Sequence, residues 1–123
     1  MNVLIVDDST TMRKILINAL KSVGINEIDE ACDGQQAVDA VLAKQYSVVL
    51  MDWNMPNMLG IDALKRIRLS GNNVPVIMVT TEAEKSRVIE ALKAGANNYI
   101  IKPFKPEAVI TKINELAGNA QAS

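Results

Sequence analysis

The chain of 123 residues contains no histidine. That absence excludes triad chemistry, imidazole acid–base work and histidine-ligated zinc. It also means that any phosphoryl group arriving from a phosphohistidine must come from another molecule. Cysteine is nearly absent as well: Cys32 stands alone, so an intramolecular disulfide is impossible and a reducing, cytoplasmic setting is expected. Its place at the end of an expected strand points to a packing role. No apolar run approaches the roughly 20 residues of a spanning helix, and the start lacks the pattern of a signal peptide, so no membrane association is expected. Thirteen basic residues against 14 acidic ones leave a net charge of −1, without the basic footprint of a nucleic-acid binder.

What is present is 49 % apolar and 22 % charged, the composition of an ordinary globular protein. Strand-like apolar runs alternate with helix-period segments from end to end, with no repeats, low-complexity tracts or linkers, so residues 1–123 read as a single domain. Strands are expected at Asn2–Val6, around Glu27–Ala31, at Val48–Met51, at Val76–Val79 and at Tyr99–Ile101. A first helix opens near Ser9 with Met12, Ile15, Leu16, Ala19, Leu20 and Val23 at helical spacing, and Gly24 ends it. Asp33 with Gln36 resembles a capping box, followed by a stripe of Ala37, Val38, Val41 and Leu42. A loop with Pro56 and Gly60 leads to a helix that turns Ile61, Leu64 and Ile67 inward. Thr81 with Glu84 gives a second capping-box signal, followed by Val88, Ile89 and Leu92 up to Gly95. Pro106 suits the first turn of the last helix, with Val109, Ile110, Ile113 and Leu116 inward. The tail 118–123 is expected to fray. Five strands alternating with five helices make an α/β, doubly wound parallel sheet with helices on both faces.

In such a sheet Asp7, Asp8, Asp52, Thr80 and Lys102, each at or just past a strand end, meet at one edge, where open α/β sheets place their ligands. Singly, Asp8 could cap the first helix and Asp7 could be a polar strand terminus. Together they pose an energetic problem, because two like charges about 4 Å apart repel by about 4 kcal/mol at an effective dielectric near 20. Relief can come from protonation, from Lys102 or from a bound cation, and all-oxygen donors in an open site favour Mg²⁺. A carboxylate beside Mg²⁺, a hydroxyl and an ammonium has the parts for phosphoryl transfer, with Asp52 as nucleophile and Thr80 and Lys102 on the phosphoryl oxygens.

Asp7-Asp8, Asp52, Thr80 and Lys102-Pro103-Phe104 resemble, over essentially the whole chain, the pattern of response-regulator receiver domains. The segments Ser9–Arg13, Asp52–Met58 and Val79–Glu82 resemble the stand-alone, CheY-like chemotaxis members in particular. The resemblance, and not the spacing, supplies the flavodoxin-like strand order 2-1-3-4-5. It implies that Asp52 accepts phosphate from a histidine kinase, with Asp7, Asp8, Asp52 and the backbone carbonyl of Asn54 around Mg²⁺. It also implies a cis peptide at Lys102-Pro103 and a switch formed by Thr80 and Tyr99. Asn54 and Glu82 would tune dephosphorylation. A partner surface would include Lys85, Val88, Tyr99 and Lys112, and would face a flagellar motor switch protein and a phosphatase. The expected molecule is a monomeric switch that promotes only its own phosphotransfer and dephosphorylation. A phosphate relay or sink, or the receiver part of a longer regulator, are the alternatives. An aspartyl-nucleophile phosphohydrolase is a remote one, since Asn54 stands two residues past Asp52 and no inserted segment forms a lid. The sequence departs from the family pattern at Leu59, where Asp or Asn is usual before Gly60.

Overall fold

The structure is a computed structural model that describes the backbone of residues 1–122 and the side chains of residues 1–116; the expected frayed tail, 118–123, lies outside the fully described residues. Strands β1 (Asn2–Val6), β2 (Glu27–Ala31), β3 (Val48–Met51), β4 (Val76–Thr80) and β5 (Asn98–Ile101) alternate with helices α1 (Thr10–Ser22), α2 (Gly34–Ala43), α3 (Gly60–Leu69), α4 (Lys85–Ala94) and α5 (Pro106–Ala122). All strand pairings are parallel, in the order β2-β1-β3-β4-β5.

The strands explain the two-sided core. Successive side chains point to opposite faces, and both faces are covered. Leu4, Val6, Val49, Met51, Val76 and Met78 pack with residues of α2 and α3 and with Ala91 of α4. Val3, Ile5, Val48, Leu50, Ile77 and Val79 pack with residues of α1 and α5. Each such side chain, when fully buried, contributes about 1.5–3 kcal/mol. Only β2, at one edge, carries a charged run, Glu27-Ile28-Asp29-Glu30, with its two glutamates exposed and the residues between them half-buried.

The helical stripes are narrower than their sequence periodicity implied. Ile15, Val23, Leu42, Ile89 and Leu92 are all exposed. A helix lying on a sheet buries only one arc of its circumference, so apolar residues at the flanks of the stripe remain in water. Helix α4 is the extreme case, with only Ala91 fully buried.

The expected box at Thr81 and Glu84 does not form. Thr81 is exposed in the loop, α4 begins at Lys85, and Glu84 takes the cap position without a side-chain bond. The N–H groups of Arg87 and Val88 instead bond the main-chain carbonyl of Glu84.

The Asp33 cap does form, in altered geometry. Its Oδ1 accepts the Gln36 N–H at 2.8 Å, while the Gln36 amide oxygen reaches back to the N–H of Cys32 at 3.0 Å. That bond goes one residue beyond the partner of a closed box. The half-buried Cys32 thiol lies on the same amide oxygen at 3.2 Å.

Asp33 also accepts the Asn57 side-chain N–H at 2.8 Å, tying the cap of α2 to the loop after β3. These donors hold the Asp33 carboxyl below its ordinary value, with the Gln36 N–H as the main cause. A depressed carboxylate adds stability above its unfolded value and loses it as pH falls through the folded one. Asp33→Ala should therefore cost about 1–2 kcal/mol in urea unfolding near neutral pH. Asp33→Asn, an equally good cap, should retain most of that stability and flatten its acid limb.

Candidate functional site

Register carries the strand ends to one edge. Val6 pairs with Met51, and Met51 with Met78, so Asp7 and Asp52 follow paired residues on adjacent strands. The ladder continues past the strands: the Asp7 N–H bonds the Ala31 carbonyl at 3.1 Å, that of Asp52 bonds Val6 at 2.9 Å, and that of Lys102 bonds Thr80 at 2.8 Å. The Lys102–Pro103 peptide is cis.

The side chains converge on this edge. One carboxylate oxygen from each of Asp7, Asp8 and Asp52 lies within 4.8 Å of the others. Asp7 and Asp52 are buried and Asp8 is exposed. The Lys102 ammonium stands 2.7 Å from Asp7 Oδ2 and 3.4 Å from Asp52 Oδ2. The other oxygen of Asp7 accepts the Ser9 N–H at 2.9 Å, and Asp52 Oδ1 accepts the Trp53 N–H at 2.7 Å. Burial pushes the Asp52 carboxyl above its ordinary value, with the neighbouring Asp7 charge adding to the shift. Lys102, the Trp53 N–H and the Thr80 hydroxyl pull it back.

The rim belongs to the loops. Asn54 donates its side-chain N–H to Glu82 Oε1 at 3.0 Å, bridging the loops after β3 and β4. Thr80 is fully buried, and its hydroxyl accepts the Glu82 N–H at 3.2 Å. Tyr99 is half-buried, and its hydroxyl donates to the Glu82 carbonyl at 2.6 Å. Burial is the main cause that pushes its phenol up to about 12.

Gly60 lets the chain fold back against the acidic edge. Its N–H bonds the Trp53 carbonyl at 2.8 Å, and a methyl group in its place would collide with the Asp52 carbonyl. Leu59 caps α3 with no side-chain bond. Asn57, at a φ of 66°, and its bond to Asp33 help hold the loop.

Lys85, Val88 and Lys112 are not drawn into the acidic cluster; with Tyr99 they lie on α4, β5 and α5. Lys85 is exposed, Val88 is half-buried, and Lys112 stands 3.9 Å from Glu115. Exposed Ile89, Leu92 and Ile101 lie on the same elements.

Two arginines were not singled out in the sequence. Arg13 reaches the Asp7 carbonyl, and Arg87 lies 5.6 Å from the centre of the buried Trp53 ring. A cation one turn into a helix that follows a strand-end acid is the signal that marks Arg13. Nothing local marks Arg87, whose aromatic partner is on another element.

Among the described residues no buried side-chain nitrogen or oxygen lacks a partner. The case for a cation therefore rests on the donor set. Three carboxylates without sulfur or imidazole suit a hard divalent ion with oxygen ligands, and such an ion would share Asp7 and Asp52 with Lys102.

Residues 3–114 match the family model of the response regulator receiver domain. This chain belongs to the response-regulator receiver family. It is 45 % identical over 121 residues to the chemotaxis protein CheY1 of Helicobacter pylori, covering 96 % of this chain and 98 % of that one. It is 44 % identical to a chemotaxis protein CheY homolog of Campylobacter jejuni, covering 96 % and 93 %. Among solved structures, the receiver domain of the Francisella response regulator 1452 superposes with a TM-score of 0.91 at 31 % identity, covering 97 % and 98 % of the two chains. The Vibrio cholerae chemotaxis protein CheY4 does so with 0.85 at 31 %, covering 94 % and 97 %. The receiver fold and its strand order thus agree with the sequence expectation. No helix among the described residues of this receiver domain is long and apolar enough to cross a membrane.

The crowded carboxylates should limit the stability of the receiver domain when no cation is bound. A carboxyl whose folded value is raised binds protons more tightly folded than unfolded, so stability declines as pH rises from the ordinary 3.8 through the raised value of Asp52. Asp52→Asn should raise metal-free stability near neutral pH by about 1–2 kcal/mol, since Lys102 already offsets part of the repulsion. Asp8→Asn should raise that stability by less, since Asp8 is exposed. Lys102→Met should lower stability by about 3–5 kcal/mol, because two buried carboxylates lose their cation. Urea unfolding in excess chelator reads all three.

Proposed function

We propose that this receiver domain, spanning residues 1–123, is a phospho-accepting switch of a chemotaxis pathway, with Asp52 as the acceptor. The observation that carries the reading is the convergence of the Asp7, Asp8 and Asp52 carboxylates within 4.8 Å, with the Lys102 ammonium 3.4 Å from Asp52. A carboxylate oxygen of Asp52 attacks the phosphorus of a phosphohistidine on a partner kinase. The new P–O bond forms as the P–N bond breaks, and the departing imidazole nitrogen takes up a proton. These 123 residues contain no histidine, so the donor histidine lies outside them.

Asp7, Asp8, Asp52 and the main-chain carbonyl of Asn54 would hold Mg²⁺, which when bound supplies positive charge against the phosphoryl oxygens. Lys102 shifts its ammonium from Asp7 toward the new phosphoryl group, and the Thr80 hydroxyl donates to one of its oxygens. As Thr80 moves toward the phosphoryl group, its hydroxyl is carried out of reach of the Glu82 N–H. Glu82 also carries the Tyr99 hydroxyl, so the loop after β4 and the ring of Tyr99 shift together. Two arrangements of this loop, biased by a local charge, make a switch. The bond between Asn54 and Glu82 lies at the rim, where it tunes the approach of the hydrolytic water.

The output reading draws on the names of the relatives, which are chemotaxis proteins. Lys85, Val88, Tyr99 and Lys112, with exposed Ile89, Leu92 and Ile101, form a mixed apolar and basic surface on α4, β5 and α5. It suits an amphipathic acidic segment of a flagellar motor switch protein. The domain works as a monomer in the cytoplasm, served by a histidine kinase and a phosphatase.

Acetyl phosphate with Mg²⁺ should give one acid-stable, base-labile adduct on Asp52, detected by intact mass and peptide mapping. Chelation should abolish it, and Asp52→Asn should remove it. Full labelling of Asp52→Asn would refute the assignment. With a beryllofluoride mimic of the acyl phosphate, a motor-switch peptide should bind at least about tenfold tighter, a coupling within the usual 1–3 kcal/mol range. Labelling without any change in peptide affinity would leave a phosphate sink.

A further inference from the structure

Arg13 has no part in the phosphoryl chemistry above, yet it is closely tied to the site. It stands one turn into α1, and helical side chains lean toward their own N-terminus, so its guanidinium reaches back to the end of β1. There Nη1 donates to the main-chain carbonyl of Asp7 at 2.7 Å, while Nε donates to Glu30 at 2.9 Å and Nη2 to the Thr10 hydroxyl at 3.3 Å. The Arg13 side chain is only 16 % exposed and its bond to the Asp7 carbonyl is partly buried, while Glu30 and Thr10 stand exposed at the rim.

The carbonyl it grips belongs to the peptide that joins Asp7 to Asp8. The backbone on either side is held too. The Asp7 N–H bonds Ala31, the Ser9 N–H bonds the Asp7 carboxylate, and the Ser9 hydroxyl accepts the Met12 N–H. Asp8 is thus an exposed carboxylate on a backbone with little freedom left. A donor oxygen carried on such a backbone costs less entropy to order around a cation.

We propose that Arg13 is a positioning residue for the divalent cation: by pinning the Asp7–Asp8 peptide, with Glu30 orienting its guanidinium, it keeps Asp8 beside Asp7 and Asp52. This inference rests on the reading of the acidic cluster as a Mg²⁺ site. Electrostatics alone predicts the opposite sign. A guanidinium near an anionic site repels an incoming cation, so its removal would tighten Mg²⁺ binding if charge were its only influence. Positioning predicts weaker binding.

Trp53 is the single tryptophan and adjoins Asp52, so its emission should change as Mg²⁺ binds, without any phosphodonor. In a Mg²⁺ titration, Arg13→Ala should bind about tenfold more weakly than the unsubstituted protein, as when groups that orient metal ligands are lost. Arg13→Lys, which keeps the charge but not the fork, should fall between them. Urea unfolding in chelator checks that each variant is folded; should Arg13→Ala fail that check, weakened binding by Arg13→Lys supports the proposal and unchanged binding overturns it. Binding by folded Arg13→Ala as tight as, or tighter than, the unsubstituted protein overturns the role of Arg13 alone. Absence of any Mg²⁺ response in the unsubstituted protein overturns the metal reading together with it.

Discussion

The backbone ladder does not stop where the strands stop, and the site depends on that. The N–H groups of Asp7, Asp52 and Lys102 each bond a carbonyl of the neighbouring strand: Ala31, Val6 and Thr80. These bonds continue the parallel pairing by one residue, so Asp7, Asp52 and Lys102 each start from backbone tied to the neighbouring strand. A parallel sheet makes this productive, because right-handed crossovers bring every carboxyl end to the same side. Hydrophobic burial on both faces sets the register, and the register delivers the charges.

Delivery creates a conflict that the rest of the edge must relieve. Asp7 and Asp52 are buried, and burial raises the Asp52 carboxyl above its ordinary value. Lys102 answers both, from 95 positions away in sequence in the case of Asp7. Main-chain donors answer the rest: the N–H of Ser9 on Asp7 and that of Trp53 on Asp52. Such a site holds its negative charge under tension, and a group that adds or redistributes charge there finds loops connected to respond. Glu82 is the junction, since it is bonded to Asn54, Thr80 and Tyr99 through different atoms. The helix beyond that loop, α4, has one fully buried residue and so has little packing to resist movement.

Much of this was legible in the residues. Continuous apolar runs and capping at Ser9 and Asp33 located β1, β3, β4, α1 and α2 closely, because those signals depend on neighbours within four residues. The cap expected at Thr81 failed for a tertiary reason: the loop after β4 is drawn to the site edge by the Glu82 bonds, and the helix starts only after it. Leu42 continues the apolar stripe of α2 yet stands exposed, because periodicity tells which residues share a face, and cannot tell how much of that face a neighbour covers. Arg13 lay within a recognisable segment, but its partner carbonyl is main chain and carries no residue-type signal. Arg87 and Trp53 meet across two elements, which no local pattern encodes.

The sequence by itself determined the alternation of strands and helices and the residue types that stand at each strand end. Those follow from side-chain periodicity and composition, which are local or additive. Only the tertiary structure decided which carboxylates converge, that Lys102 stands between Asp7 and Asp52, and that Glu82 joins the rim to Tyr99. Those depend on separations of a few ångströms between residues remote in the chain, and packing of the whole sheet sets such distances.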